Sequence, residues 1–311
     1  MAKILITESV HPIGPELLTA AGHTVVYANR DMDVIRREIV DADAVLVRII
    51  ELPGSLLATA KNLKIVSKHG VGYDNIDLDY CKSHGVAVTI TPNANSLSVA
   101  EHAFTLMITL AKNIIPVSNE YRTVGFAAKN HAPGIEMTGK TLGLVGMGRI
   151  GKHILHMCRD GLDMHVIVYD PYISEIPEGV EKVDDLSELL RRADVVTLHC
   201  LLTDETRKLI DRERLALMKP TALLINCARG PIVDEAALIE ALENGRLAGA
   251  GLDVTDPEPV APDSPLFKLP NVIVTPHYAP TTVESATRVS KIAAENINAV
   301  LAGQEPVGRI V

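Results

Sequence analysis

Aromatic residues are scarce in this chain of 311 residues, which has no tryptophan and only three phenylalanines. Valine, isoleucine, leucine and alanine must therefore fill the hydrophobic cores, as they do in parallel sheets buried on both faces. No run of eighteen apolar residues occurs, so we expect no membrane-spanning helix. The net charge of -9 and the absence of a basic cluster argue against a nucleic-acid partner.

Cysteines are also few, and their spacing suits neither a metal site nor a disulfide framework. The four are scattered, and no C-x-x-C pair occurs, so we expect no metal ion. No signal peptide precedes the first predicted strand, Lys3 to Thr7. Together these features predict a reducing, cytoplasmic location.

The most informative stretch runs from residue 140 to residue 171. Its apolar runs predict a strand from Thr141 to Val145 and a second strand from His165 to Tyr169. Between them, helical spacing from Arg149 to Arg159 predicts a helix, with Gly161 as its stop. The pattern is typical of a strand–helix–strand unit that binds a dinucleotide.

Three glycines and one acid complete this unit: Gly146, Gly148 and Gly151 form G-x-G-x-x-G, and Asp170 follows the second strand. The first glycine allows a tight turn, the second lets a pyrophosphate approach the backbone, and the third lets helix and strand pack closely. The acid accepts hydrogen bonds from the ribose diol. The alternative is an ordinary glycine-rich turn, which would not require the acid at this distance.

The length suggests about two domains. The first ninety residues alternate strands and helices, which indicates a parallel sheet with helices on both faces. Thr7 to His11 replace a glycine fingerprint after the first strand, so we do not expect this part to bind a dinucleotide. Four more strands follow the nucleotide unit: Val195 to Cys200, Ala222 to Cys227, Ala250 to Val254 and Val272 to Thr275. Sequence alone does not fix their order.

Two further segments lie outside these repeats. An apolar helix is predicted from Ser96 to Lys112, and residues 116–137 form a less regular stretch, interpreted as an arm that packs on a second subunit. The last helix, Val283 to Leu301, needs a face to pack on and could return to the first domain.

Candidate chemistry lies just after the late strands, because ligands bind beyond the carboxyl ends of such strands. Arg229 could grip a carboxylate and polarise a carbonyl. His277 could donate a proton, with Glu258 favouring its imidazolium form. Taken singly, each of these residues, like Asp253, has an ordinary structural alternative in a turn, a solvated loop or a cap.

The chain resembles the D-isomer-specific 2-hydroxyacid dehydrogenase family, which includes 3-phosphoglycerate dehydrogenases and hydroxypyruvate or glyoxylate reductases. The resemblance covers nearly the whole length. Its motifs are HGVGYDNID at 69–77, SVAEH at 98–102, GMGRIG at 146–151, NCARG at 226–230, GLDV at 251–254 with Glu258, and TPH at 275–277.

The resemblance implies an α/β fold of two doubly wound parallel-sheet domains. A flavodoxin-like substrate domain, residues 1–95 plus 284–311, would contain an inserted Rossmann dinucleotide-binding domain, residues 96–283, with a dimerisation arm near 113–137. The cofactor would be NAD, the ligand a small 2-oxo or 2-hydroxy acid, and the assembly a homodimer or tetramer.

The resemblance also implies roles for single residues. Arg229, Glu258 and His277 would be catalytic, with His277 as the proton donor. The substrate would bind at Arg48, Val71, Gly72, Arg229 and His277. The cofactor would bind at Gly146, Gly148, Arg149, Ile150, Gly151, Asp170, Cys227, Ala228 and Asp253. Asp170 would favour NAD over NADP, because a 2′-phosphate would face its charge.

Three departures from the family pattern leave alternatives open. Ile49 and Ile50 replace small hydroxyl residues after Arg48, which could reach a second acidic group or be structural. Tyr278 and Ala279 stand where many relatives have glycines, so the active-site floor should be less open. The chain stops soon after its last helix, so we expect no C-terminal regulatory domain.

The substrate and even the class of function also remain open at this stage. One alternative is 3-phosphoglycerate oxidation, for which Arg48 is the candidate phosphate ligand. A formate dehydrogenase is disfavoured, because Glu258 is a carboxylic acid where that branch has an amide. Another alternative is a non-enzymatic, NAD-sensing protein similar to transcriptional corepressors. His102 matches the family pattern, but we interpret it as a residue that packs or forms a hydrogen bond on the side of its helix.

Overall fold

The computed structural model describes all 311 residues, which form two compact units, Met1–Asn95 with Pro280–Val311 and Ser96–Ala279. The first unit begins with five short strands separated by helices. The elements are β1 Lys3–Ile6, α1 Ile13–Ala20, β2 Thr24–Tyr27, α2 Met32–Glu38, β3 Ala44–Val47, α3 Gly54–Leu57, β4 Ile65–Lys68, α4 Leu78–Ser83 and β5 Ala87–Thr89. The sheet is parallel throughout, with the flavodoxin-like order β2-β1-β3-β4-β5.

The second unit contains the remaining seven strands. The elements are α5 Ser96–Ala111, α6 Ile114–Val124, β6 Thr141–Val145, α7 Arg149–Leu162, β7 His165–Tyr169, β8 Val180–Lys182, α8 Leu186–Arg192, β9 Val195–Leu198, α9 Arg212–Leu215, β10 Leu223–Asn226, α10 Glu235–Glu243, β11 Gly249–Leu252 and β12 Val272–Val274. All seven strands are parallel, in the order β12-β11-β10-β9-β6-β7-β8, so the strand order reverses at β6. This is the Rossmann arrangement with one added strand, so the predicted fold class is confirmed.

The last helix, α11 Val283–Leu301, packs in the first unit against α1 and β4. Thr282 caps its start by accepting a hydrogen bond from the N–H of Ser285. A Cβ atom on Gly14 would lie 2.4 Å from the Ser290 hydroxyl oxygen, so glycine is what lets α1 approach α11 this closely. The sequence predicted the bounds of this helix correctly.

Apolar side chains cover both faces of each sheet. On the seven-stranded sheet, one cluster contains Leu189 and Leu224, and the other contains Leu144 and Ile154. On the five-stranded sheet, separate clusters likewise form around Leu5 and around Ile4. Strands of both sheets therefore read as nearly continuous apolar runs, which is why they could be found from sequence. None of the helices is long and apolar enough to cross a membrane.

Two local predictions were wrong, and one strand was missed. The stretch 116–137, expected to be less regular, is helical at its start: α6 is followed by a 3-10 helix, Gly125–Asn130. Pro116 lies in the first turn of α6, where no N–H group needs an intrahelical partner, so proline does not prevent this helix. No residue of α6 is buried, although Ile114, Val117 and Tyr121 recur at helical spacing.

The other two errors concern the nucleotide unit. Helix α7 continues through Gly161 to Leu162 and ends at Asp163, which adopts the left-handed conformation with φ 54° and ψ 42°. Strand β8 was not predicted, because two of its three residues, Glu181 and Lys182, are charged and exposed. At the edge of the sheet only backbone pairing to β7 defines this strand.

Candidate active site

The three glycines of the fingerprint have three different physical requirements. Gly146 has φ +90°, and a Cβ atom there would lie 2.8 Å from the Cys200 nitrogen. A Cβ atom on Gly151 would lie 2.4 Å from the Gly146 carbonyl oxygen, whereas one on Gly148 would have no protein atom within 4 Å. Contacts within the protein therefore require glycine at positions 146 and 151. Gly148 instead borders open space, which is what an approaching pyrophosphate needs.

The start of α7 offers unused hydrogen-bond donors at the same place. No side chain caps this helix. The N–H groups of Gly148, Arg149 and Ile150 donate to no group of the protein. Unpaired N–H groups and the positive end of the helix dipole together favour an anion. The local structure thus fits the pyrophosphate of a dinucleotide.

Asp170 follows β7 and lies against the glycine loop. One carboxylate oxygen accepts a hydrogen bond of 2.8 Å from the N–H of Met147, and the other accepts one of 3.0 Å from the N–H of Tyr172. These contacts fix the carboxylate but leave each oxygen able to accept another hydrogen bond. A ribose diol could supply those donors.

Arg229 lies in a turn after β10 that a buried asparagine holds in place. Asn226 is 1% exposed; its amide donates to the Arg229 carbonyl oxygen at 2.9 Å and accepts from the Ala228 N–H at 3.0 Å. The Arg229 guanidinium also donates to the Ala228 carbonyl oxygen at 2.7 Å. A Cβ atom on Gly230 would lie 1.9 Å from the Thr255 carbonyl oxygen, so this turn packs directly on the segment that leads to Glu258.

His277 and Glu258 are brought together over 19 residues of sequence. The His277 Nδ1 atom lies 2.7 Å from the Glu258 carboxylate, and both side chains remain partly exposed. His277 itself has φ 53°, and its N–H donates to the Asp253 carbonyl oxygen at 2.8 Å. Since Nδ1 is hydrogen-bonded to Glu258, Nε2 is the ring nitrogen that is available for proton exchange with a ligand.

Asp253 holds the loop that carries His277. Its carboxylate is 1% exposed and accepts hydrogen bonds from the Thr275 hydroxyl and from the N–H groups of Tyr278 and Ala279. His102 lies 3.0 Å from the same Thr275 hydroxyl, which agrees with a supporting role for this histidine. A contact between Asp253 and a nicotinamide stays a prediction.

Cys227 and Ala228 follow β10 and lead into Arg229. Burial and then the charge of Asp253 raise the pKa of the Cys227 thiol well above its ordinary value. The thiol therefore remains protonated and serves as a small packing group beside Asp253.

Three of the substrate residues expected from the sequence, Arg48, Val71 and Gly72, lie in the first unit, after β3 and β4. The N–H groups of Val71 and Gly72 donate to no group of the protein. One guanidinium nitrogen of Arg48 donates to the Ser9 carbonyl oxygen at 3.0 Å. The loop thus presents two unused donors, as a carboxylate site requires.

Sequence reasoning missed three polar residues that position these groups: Asn226 and Glu8, which are buried, and Thr275, which is partly buried. The Glu8 carboxylate is 1% exposed and accepts from the N–H groups of Arg48 at 2.7 Å and Ile49 at 3.0 Å. Each follows or ends an apolar strand, and a polar residue in that position was the available signal.

Comparison with known proteins identifies the family. Residues 104–279 match the NAD binding domain of the D-isomer specific 2-hydroxyacid dehydrogenases. The chain therefore belongs to this family of NAD-dependent oxidoreductases, which confirms the resemblance and the NAD cofactor.

Several relatives are similar over most of the chain. D-3-phosphoglycerate dehydrogenase of Methanocaldococcus jannaschii is 41% identical over 98% of this chain, which spans 58% of that protein's length. Glyoxylate reductase of Thermofilum pendens is 38% identical, covering 98% of this chain and 93% of the relative. The structure of D-lactate dehydrogenase from Aquifex aeolicus complexed with NAD and lactic acid has a TM-score of 0.87 at 32% identity, covering 96% of each chain.

Proposed function

We propose that the protein is an NAD-dependent D-2-hydroxyacid dehydrogenase that interconverts a small 2-oxo acid and its 2-hydroxy acid. The hydrogen bond of 2.7 Å between His277 and Glu258 carries this proposal. It lies in the same unit as the glycine loop, and it forms the proton-donating pair that carbonyl reduction needs. When bound, the cofactor supplies or accepts the hydride.

The catalytic residues would act by charge and position. His277 donates a proton from Nε2 to the developing alkoxide, while Glu258 orients the ring and stabilises its imidazolium form. Arg229 binds the substrate and polarises its carbonyl through its guanidinium. Asp253 fixes the His277 loop, and this positioning matters because small displacements cost rate.

Other residues would bind the two ligands. Gly148, Arg149 and Ile150 hold the pyrophosphate through their N–H groups, and Asp170 accepts from the ribose. The N–H groups of Val71 and Gly72 bind the substrate carboxylate. In this proposal the first unit is the substrate domain and the second is the NAD-binding domain.

A second candidate is D-3-phosphoglycerate dehydrogenase, favoured by the 41% identity to the Methanocaldococcus jannaschii protein. This reaction needs a cation for the phosphate, and Arg48 would be that cation. Its guanidinium has one nitrogen bound to Ser9, and the others could contact a phosphate.

We also propose that the protein forms a homodimer through the arm near residues 113–137. Apolar side chains of this arm are exposed, including Ile114 at 54%, Tyr121 at 60% and Phe126 at 73%. Exposed apolar clusters of this kind mark subunit contacts. Sedimentation of the purified protein would measure the assembly directly.

A substrate panel tests the proposed activity. Purified protein is mixed with NADH and with glyoxylate, pyruvate, hydroxypyruvate or phosphohydroxypyruvate, and NADH oxidation is followed. We expect turnover with at least one of these 2-oxo acids. If only the phosphorylated acid reacts, the second candidate is correct. No turnover at all, with NADH binding intact, would contradict enzymatic function and favour a sensor.

A further inference from the structure

We propose that His69 is a substrate-recognition residue that hydrogen-bonds an oxygen substituent on C3 of the 2-oxo acid. This inference rests on the proposed function and specifies its substrate class. It would make a 3-hydroxy-2-oxo acid such as hydroxypyruvate a better substrate than its 3-deoxy analogue, pyruvate.

The first argument is position. Lys68, the last residue of β4, pairs in register with Val47, the last residue of β3. His69 therefore comes next to Arg48 at the carboxyl ends of two neighbouring strands, where α/β sheets bind ligands. The His69 N–H donates to the Val47 carbonyl oxygen at 2.8 Å, which fixes the backbone here. The unused N–H groups of Val71 and Gly72 follow two and three residues later.

The second argument is an unsatisfied polar atom. The Nε2 atom of His69 is buried and has no hydrogen-bond partner within the protein. Burying such an atom without a partner destabilises a fold, so each case calls for an explanation, such as a ligand, an ion or an ordered water. Leucine would fill a similar space without this cost. The surroundings of Nε2 therefore give no structural reason for a polar atom at this position.

The third argument is that neighbouring polar side chains are already engaged. The Glu8 carboxylate accepts from the backbone of the Arg48–Ile49 loop. The Lys68 ammonium, 6% exposed, donates to the Arg48 carbonyl oxygen and to the Asn75 side chain. These groups build the loop, whereas the His69 imidazole makes no such contact through Nε2.

The charge state of His69 narrows the ligand chemistry. Burial, and then the nearby Arg48 guanidinium, lower the pKa of His69 to about 3. The ring is therefore neutral at physiological pH, and Nε2 can donate or accept according to its tautomer. A hydroxyl group can do the same, so the two match in either arrangement.

The place of this contact on the substrate follows by elimination. In the proposed function the carboxylate binds the amides of Val71 and Gly72, and the 2-oxo group is the carbonyl that is reduced. A short 2-oxo acid then has only its C3 substituent left to bind a further polar residue. Hydroxypyruvate carries a hydroxyl there, phosphohydroxypyruvate carries a phosphate ester, and pyruvate has neither.

The test compares hydroxypyruvate with pyruvate in three forms of the protein: wild type, His69→Leu and His69→Gln. Leucine keeps the volume without a polar atom, and glutamine restores a polar atom near Nε2. We expect wild type to favour hydroxypyruvate in kcat/KM by about tenfold or more. His69→Leu should lose that preference while keeping its kcat/KM for pyruvate, and His69→Gln should retain part of it. His84→Leu, at the exposed end of α4, is the matched control.

Several outcomes would overturn the inference. These are a wild type without preference, a His69→Leu variant that loses both activities equally, and one that loses neither. Phosphohydroxypyruvate tests whether His69 recognises a phosphate rather than a hydroxyl. If His69→Leu loses kcat/KM with phosphohydroxypyruvate alone, recognition of the hydroxyl would be contradicted. If His69→Leu does not fold, the preference for hydroxypyruvate over pyruvate is compared between His69→Gln and wild type. An unchanged preference in His69→Gln would then contradict the inference. Absence of wild-type turnover with every 2-oxo acid would instead refute the proposed function.

Discussion

The glycine loop allows a prediction that separates folding from cofactor binding. In Gly151→Ala the new Cβ atom would lie 2.4 Å from the Gly146 carbonyl oxygen, about 1 Å closer than ordinary van der Waals contact. That oxygen belongs to the backbone, so α7 must move away from the loop. Overpacking of this kind lowers the free energy of unfolding by about 1–3 kcal/mol.

The matched variant, Gly148→Ala, should behave in the opposite way. Gly148 has φ -70°, which alanine adopts readily, and its Cβ atom would have no protein atom within 4 Å. Stability should therefore stay the same or rise by about 0.4–1 kcal/mol through a less flexible unfolded chain. NADH affinity should fall about tenfold or more, because the methyl group occupies the approach of the pyrophosphate.

Urea unfolding and NADH titration of both variants measure the two effects separately. Gly151→Ala should have a lower unfolding midpoint, and Gly148→Ala should have a near-normal midpoint with weak binding. If Gly148→Ala binds NADH as wild type does, the pyrophosphate does not approach at Gly148. If Gly151→Ala is as stable as wild type, the close packing of the helix on the loop has been overstated.

Two further predictions concern the same unit. Asp170→Asn removes the charge that a 2′-phosphate would face, so the ratio of NADPH to NADH affinity should rise about tenfold or more; an unchanged ratio in paired titrations would rule out the ribose contact. Gly161→Ala replaces an exposed glycine near the end of α7 where a Cβ atom meets nothing within 4 Å, so the free energy of unfolding should rise by about 0.5–1 kcal/mol. A lower urea midpoint in this variant would show that the last turn of α7 requires glycine.

The nucleotide unit could be predicted from sequence because its requirements are local. Gly146 and Gly151 are constrained by backbone within a few residues or by an adjacent strand, and the apolar strands are buried on both faces. Helix α6 could not be predicted in the same way. Its apolar residues recur at helical spacing, but the helix buries no side chain, so no packed face accompanies that pattern.

In the candidate site, too, residue types could be predicted from sequence but contacts between distant residues could not. The types of Glu258 and His277 suggested acid–base chemistry, but their contact spans 19 residues and depends on a loop whose path only coordinates provide. The supporting role of Asn226 is likewise a property of one turn's geometry. The unpaired Nε2 of His69 could not be found from sequence, because whether a buried atom has a hydrogen-bond partner depends on all the groups that surround it.

The central claim is that His277 donates the proton during reduction of a 2-oxo acid. Single-turnover NADH oxidation by His277→Ala tests it most directly, with His156→Ala, whose side chain is 76% exposed, as the control. We expect the rate to fall by about a hundredfold to ten-thousandfold in His277→Ala while NADH affinity stays within about twofold, with no change in the control. A His277→Ala rate equal to that of wild type would contradict the account.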